Sequence, residues 1–166
     1  HLIKQLPDTH LVFYEPVFRL ENADVELAII IVAPTTIYCI AALDSMSNDI
    51  YQAVDDRYWQ RLRGNDETRV ISPMLALSRT TSVIRRVLST TLNMMPMPLK
   101  EIVLCPNGYI EHFHSTSADC VDIRNYREWY TKMSGNRSPM KHQQLKTVQS
   151  LFDHCQTTAV VRTIGS

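Results

Sequence analysis

The chain has 166 residues, 17 Lys and Arg against 17 Asp and Glu, 45% hydrophobic residues, 4 Gly, 8 Pro and 4 Cys. That length suits one domain over residues 1–166, able to bury roughly 68–70% of its unfolded surface. The composition excludes a disordered chain, a collagen-like repeat and a disulfide-dense scaffold. Zero net charge argues against a surface that grips nucleic acid all over, but a local basic groove stays open.

Charge is uneven along the chain. His1–Val83 carries 7 basic and 11 acidic residues, and Ile84–Ser166 carries 10 and 6. The longest apolar run, Leu27–Ala33, is far short of the ~20 residues of a spanning helix, and the start lacks a signal-peptide core. The start reads as a cut from a longer protein, of which this would be the C-terminal part, with His1 a tag remnant. Cys39, Cys105, Cys120 and Cys155 form no CxxC pair, which predicts free thiols and a cytoplasmic setting.

In chain order, His10–Leu20 reads as a β-rich segment broken at Pro16. Val25–Ala33 (VELAIIIVA) has too few polar positions to alternate, which predicts a central strand covered on both faces. Thr36–Leu43 is a second such strand, and the short Pro34-Thr35 link makes the pair an antiparallel hairpin. Tyr51–Ile71, turning at Gly64-Asn65, predicts an edge hairpin. Ser72-Pro73 opens a helix, with Ser as cap and Pro preset for the first turn. Met74, Leu77, Thr81, Ile84 and Leu88 form its apolar stripe, and Arg79, Arg85 and Arg86 its polar side. Met94–Pro98 is a linker whose methionines are an adaptable contact surface or a loosely constrained link.

Glu101–Cys105 predicts a short buried strand, Pro106-Asn107-Gly108 a turn, Tyr109-Ile110 and Cys120–Ile123 further strands, and Asn125–Met133 a helix. Ser138-Pro139 repeats the helix start. Leu145, Val148, Leu151, Phe152 and Cys155 mark the stripe of the next helix, and Thr157–Thr163 is an edge strand or a frayed tail. The sum is an α/β (α+β) domain, a mixed β-sheet flanked by helices.

Several constellations carry possible chemistry. His112 and His114, with Asp119, Cys120 and Asp122, could serve zinc or belong to a solvated loop, and their spacing matches no closed zinc motif. His154-Cys155 raises a nucleophilic thiol, but neighbouring helix positions do not face each other and Cys155 sits on the apolar stripe. Neither a Gly-x-Ser-x-Gly elbow nor a Gly-rich phosphate loop is present. Arg79, Arg85, Arg86, Arg124, Arg127, Lys141 and Lys146, together with Lys132 and Arg137 and with Tyr126, Trp129 and Tyr130 interleaved, form either a groove for a nucleic-acid backbone or solvated helix faces over a core.

Glu26 before a long apolar strand, a second strand ending at Ile40-Ala41-Ala42-Leu43, and the Ser72-Pro73 helix start resemble the nuclease-related domain (NERD) family of the PD-(D/E)xK restriction-endonuclease-like group. The stretches SPMLALSRT, NGYIEH, IRNYREWY and SPMKHQQLK look like those of NERD proteins of Bacillus and its relatives. The resemblance covers nearly the whole chain and implies a restriction-endonuclease-like mixed sheet. In that family an acid before the first strand and a Glu-x-Lys on the second hold Mg²⁺ and activate water for phosphodiester hydrolysis.

Here Glu26 matches the first acid. Glu-x-Lys falls on Ala41-Ala42-Leu43, and the family's helix Gln falls near Leu77. The resemblance therefore implies a degenerate nuclease-like domain that binds nucleic acid or scaffolds, with no catalytic residue assigned and no cofactor. Two alternatives stay open. One is a protein-interaction or self-association module. The other is a nuclease with a rewired Mg²⁺ site at Glu26 and Asp44, whose plainer reading is an exposed turn.

Overall fold

The computed structural model describes residues 6–91, 97–112, 116–135, 142–156 and 161–163. The domain is α+β, with mixed parallel and antiparallel pairing. Its elements are β1 (Leu11–Phe13), β2 (Val17–Leu20), β3 (Ala23–Glu26), β4 (Ile29–Val32), β5 (Ile37–Ala42), β6 (Ile50–Ala53), β7 (Tyr58–Arg63), β8 (Asp66–Ile71), α1 (Pro73–Thr91), β9 (Leu99–Cys105), β10 (Tyr109–His112), β11 (Asp119–Asp122), α2 (Tyr126–Ser134), α3 (His142–Asp153) and β12 (Val161–Thr163).

The larger sheet runs β11-β9-β5-β4-β1-β12. All four residues of β4 are buried, as a strand covered on both faces requires. The turn after it closes with the Ala33 N–H donating to the Thr36 carbonyl at 2.9 Å, and β5 returns antiparallel, Ile29 opposite Ile40. β9 and β11 then add parallel to β5. Parallel neighbours need long crossovers, and here the crossovers carry the rest of the fold. β6–β8 and α1 lie between β5 and β9 in sequence, and β10 lies between β9 and β11.

Alternation along the strands divides the interior in two. Phe13, Ile30, Val32, Cys39 and Val103 meet α1, α3 and the second sheet on one face. Val12, Ile29, Ile31, Ile40, Ile102 and Leu104 meet α2 on the other. The second sheet runs β10-β6-β7-β8 and contributes Tyr51, Ala53, Trp59 and Ile110 to the first cluster. The two halves of the sequence interleave, since β9 lies directly beside β5.

Several elements depart from expectation. Val25–Ala33 is two strands: β3 belongs to a separate β2–β3 hairpin, and the chain enters the main sheet only at Ile29. The break has a cause, because the Leu27 N–H bonds to the Pro16 carbonyl (2.9 Å) and the Ala28 N–H to Thr80 Oγ1 of α1 (2.8 Å). The Gly64 hairpin forms, with Gly64 at φ +59, but it lies in the second sheet, which gains β6 and β10.

The buried face of α3 is Gln144, Thr147, Ser150 and Leu151, while Leu145 and Phe152 stay half exposed. The reason is backbone chemistry. Gln144 Nε2 donates to the Thr9 and Val32 carbonyls at 2.7 and 3.0 Å, a need that a hydrophobic stripe does not register. Ser72 Oγ accepts the Met74 N–H at 3.1 Å, the expected cap. Met97 is core, whereas Met94, Met95 and Ser138-Pro139 lie outside the described residues. Residues 161–163 form an edge strand on β1. Among the described residues no helix is long and apolar enough to cross a membrane.

His10 joins the two layers. Its ring is fully buried, Nε2 donates to the Met133 carbonyl at 2.9 Å, and Thr9 Oγ1 lies 3.1 Å from Nδ1. Burial pushes the imidazole below its ordinary 6.5, against the Met133 bond, which favours the charged ring. The unfolded chain therefore binds a proton here before the native one does. Stability is expected to fall as pH drops below 6.5. Urea titrations between about pH 7 and 5 should show a shallower decline in His10→Gln.

Candidate functional site

The C-terminal end of β5, with Ala41–Leu43, faces the start of β4. Ala41 and Leu43 are half-buried and pack on the first core cluster, and the Leu43 N–H continues the ladder to the Leu104 carbonyl at 2.8 Å. Glu26 is exposed at the end of β3, off the main sheet. Its backbone carbonyl, not its carboxylate, accepts Arg79 Nε at 2.9 Å. Asp44 is exposed just past β5, and its carbonyl accepts the Tyr51 hydroxyl at 2.5 Å. Methyl-bearing side chains at 41 and 43 can neither ligate a cation nor move a proton. Among the described residues no three His, Cys, Asp or Glu gather at a common point.

One acid beneath α1 has no counterpart among the candidate residues. Glu101, on β9 opposite Cys39, accepts Thr81 Oγ1 at 2.8 Å beneath α1. Burial pushes the Cys39 thiol up to about 12, with Glu101 adding to the rise and Arg85 opposing it, so this cysteine stays protonated and inert. The signal for Glu101 is its position: an acid that leads into the apolar run Ile102–Cys105 sits at the margin of the core and needs a partner there.

The basic candidates separate into two groups. Arg79, Arg85 and Arg86 are exposed on α1, and Arg86 Nη2 lies 3.0 Å from Glu21 Oε1. Lys146 is exposed on α3, on the same side of the main sheet. Arg124 and Arg127 belong to the α2 side, opposite α1. Lys141 lies outside the described residues. One continuous groove over all of them therefore does not form. Tyr126 stacks with Tyr130 and meets Trp129 at a tilt, ring centres 6.2 Å apart in each pair, and the three rings pack against the second core cluster.

Arg124 is engaged in structure. Nη2 meets Asp122 Oδ2 at 2.5 Å and the Ile110 carbonyl at 3.1 Å, while Asp122 accepts the Ile110 N–H at 3.0 Å. The pair clips β10 to β11 across the two sheets. Burial alone would raise the Asp122 carboxyl. The Arg124 guanidinium and two backbone N–H donors override that and hold it below its ordinary 3.8. Asp49 has a similar clasp from Arg63 (Nη2–Oδ2 2.7 Å), which holds its carboxyl low.

Among the described residues the candidate zinc ligands do not gather. His112 is exposed, Asp122 is committed to Arg124, and Phe113 and His114 lie outside the described residues. Cys120 is half-buried beside Thr116 Oγ1 (3.7 Å), and burial raises its thiol. Burial lifts the Cys155 thiol to about 11, and its Sγ donates to the Leu151 carbonyl at 3.4 Å, so the His154-Cys155 pair is structural. All four cysteines are free. A cleft of about 520 Å³ opens between α2 and strands β5, β9 and β11, lined by Tyr38, Lys100, Asp119, Glu128, Trp129 and Lys132. No local pattern announces it, because its walls come from four separate elements.

Compared with known proteins, the chain matches no family model, no curated protein and no solved structure. Asp122→Ala strips the Ile110 N–H of its partner and is expected to cost about 1–3 kcal/mol at neutral pH. A group held low contributes above its ordinary value and loses that contribution as pH falls below it. The gap between wild type and variant, read from denaturation midpoints, should therefore narrow below pH 3.8.

Proposed function

We propose that this chain is a catalytically degenerate, nuclease-like domain of the NERD type that binds a nucleic-acid backbone. The observation that carries the reading is the end of β5. Ala41 and Leu43 stand where hydrolysis would need a carboxylate and a lysine, and Glu26 presents its carboxylate to solvent from a different sheet. Alongside β5, α1 holds three exposed arginines, with Arg79 bonded to the Glu26 carbonyl. Cations on α1 remain although the water-activating groups are gone, and cations alone suffice to hold phosphates.

The binding side is α1 with Lys146 of α3. Arg85 and Arg86 are both exposed, and Arg86 exchanges its surface pair with Glu21 for a phosphate when it binds. The side facing α2 contributes less, since Arg124 is already clasped.

Binding to single- or double-stranded oligonucleotides is expected to weaken steeply with salt. Arg85→Ala/Arg86→Ala should flatten the slope of log affinity against log salt by about 1–2. A slope unchanged in the double variant rejects this surface. Incubation of the wild-type protein with Mg²⁺ or Mn²⁺ is expected to leave DNA and RNA intact. Cutting abolished by Glu26→Ala would instead establish a rewired nuclease at Glu26 and Asp44.

A further inference from the structure

The second sheet ends in an open edge. β8 (Asp66–Ile71) pairs with β7 and, among the described residues, has no neighbour on its other side. It is exposed at every position except Val70, which is half-buried. Edges of this kind are usually blunted by a proline, a bulge or charged side chains, lysine above all. β8 (DETRVI) has no proline and no lysine, its register with β7 is unbroken from Arg63–Asp66 to Tyr58–Ile71, and it carries both signs.

The outward-facing groups follow from the hairpin. The Ser72 N–H donates to the Arg57 carbonyl at 2.9 Å, which fixes the hydrogen-bonded parity as 57–72, 59–70, 61–68 and 63–66. Glu67, Arg69 and Ile71 therefore turn their N–H and C=O groups away from β7. A second β8 running antiparallel must match outward positions to outward positions. A two-fold axis at Thr68 does this, placing Glu67 opposite Arg69 of the second copy and Arg69 opposite its Glu67. Opposite charges at directly facing positions favour the pairing, and like charges oppose it. An axis at Arg69 would set two arginines face to face.

Both side chains are already oriented on the outer face of the sheet. The Arg69 guanidinium lies 4.1 Å from the centre of the Tyr58 ring, and Glu67 Oε2 accepts Gln60 Nε2 at 3.1 Å with its other oxygen free for a cation. At the end of the strand Ile71 is 70% exposed next to Tyr58. In this register it comes opposite Asn65 at the partner's turn.

We propose that β8 is a homodimer edge, on which two copies of this chain join their four-stranded sheets into one eight-stranded sheet about a two-fold axis at Thr68. The occupant is a second copy because the charge pattern is complementary to itself under that axis. Edge pairing of this extent belongs with small interfaces, under about 1,200 Å², so the dimer is concentration-dependent.

Sedimentation equilibrium over a range of protein concentrations tests this. The wild-type mass should climb from that of the 19.1 kDa chain to twice that value. Glu67→Arg places like charges opposite at two symmetric points and should weaken the dimer by about tenfold or more. Glu67→Arg/Arg69→Glu restores the pairing with signs exchanged and should return the dimer to near wild-type strength. Arg69→Pro removes an outward N–H that β7 does not use, and should block assembly with the far-UV spectrum unchanged. A wild-type mass that stays at one chain overturns the proposal. So does a dimer indifferent to Glu67→Arg, or one that the exchanged pair fails to restore.

Discussion

Burial of β4 on both faces is the constraint from which the rest of this domain follows. Four consecutive side chains, Ile29 to Val32, cannot all point one way from a pleated strand, so each face of the sheet must be covered. Full burial of each such residue is worth about 1.5–3 kcal/mol, enough to dictate where the helices go. α1, α3 and the second sheet close one face and α2 closes the other. β5 shares the demand, and so does β9, whose last four residues are all buried.

Polar clasps then fix the layers in place. His10 ties the start of β1 to the end of α2, Gln144 ties α3 to the carbonyls of Thr9 and Val32, and Asp122 with Arg124 joins the two sheets. Each is a buried group with named partners, and each spends a residue that chemistry elsewhere could have used. Arg124 is the plain case. Its position in a basic half made it a candidate phosphate ligand or a solvated cation, yet its guanidinium closes a seam between strands.

The proposed binding surface and the proposed dimer edge occupy different parts of the molecule. One is the solvent side of α1, and the other is the outer strand of the second sheet, just before α1 begins. Ser72 and Pro73 link them. The same residues that end β8 also start α1, so a dimer built on β8 would carry two arginine-bearing helices in a fixed mutual arrangement. Two linked weak contacts to one backbone bind more tightly than either alone.

Much of the fold was legible from local patterns. The unbroken apolar runs gave the central hairpin of β4 and β5, Gly64-Asn65 gave the β7–β8 turn, and Ser72-Pro73 gave the start of α1 with its cap. Those features are decided by neighbours within a few residues. Ala41 and Leu43 were equally legible, because a methyl group excludes ligation wherever it stands. Tertiary structure alone decided that β3 parts from β4, since Pro16 and Thr80 take the backbone bonds of residues 27 and 28. It also decided which face of α3 is buried, that the arginines of α1 and α2 stand on opposite sides, and that β8 is left with an open edge. In every such case the determining partner lies far away in sequence, and no local periodicity contains it.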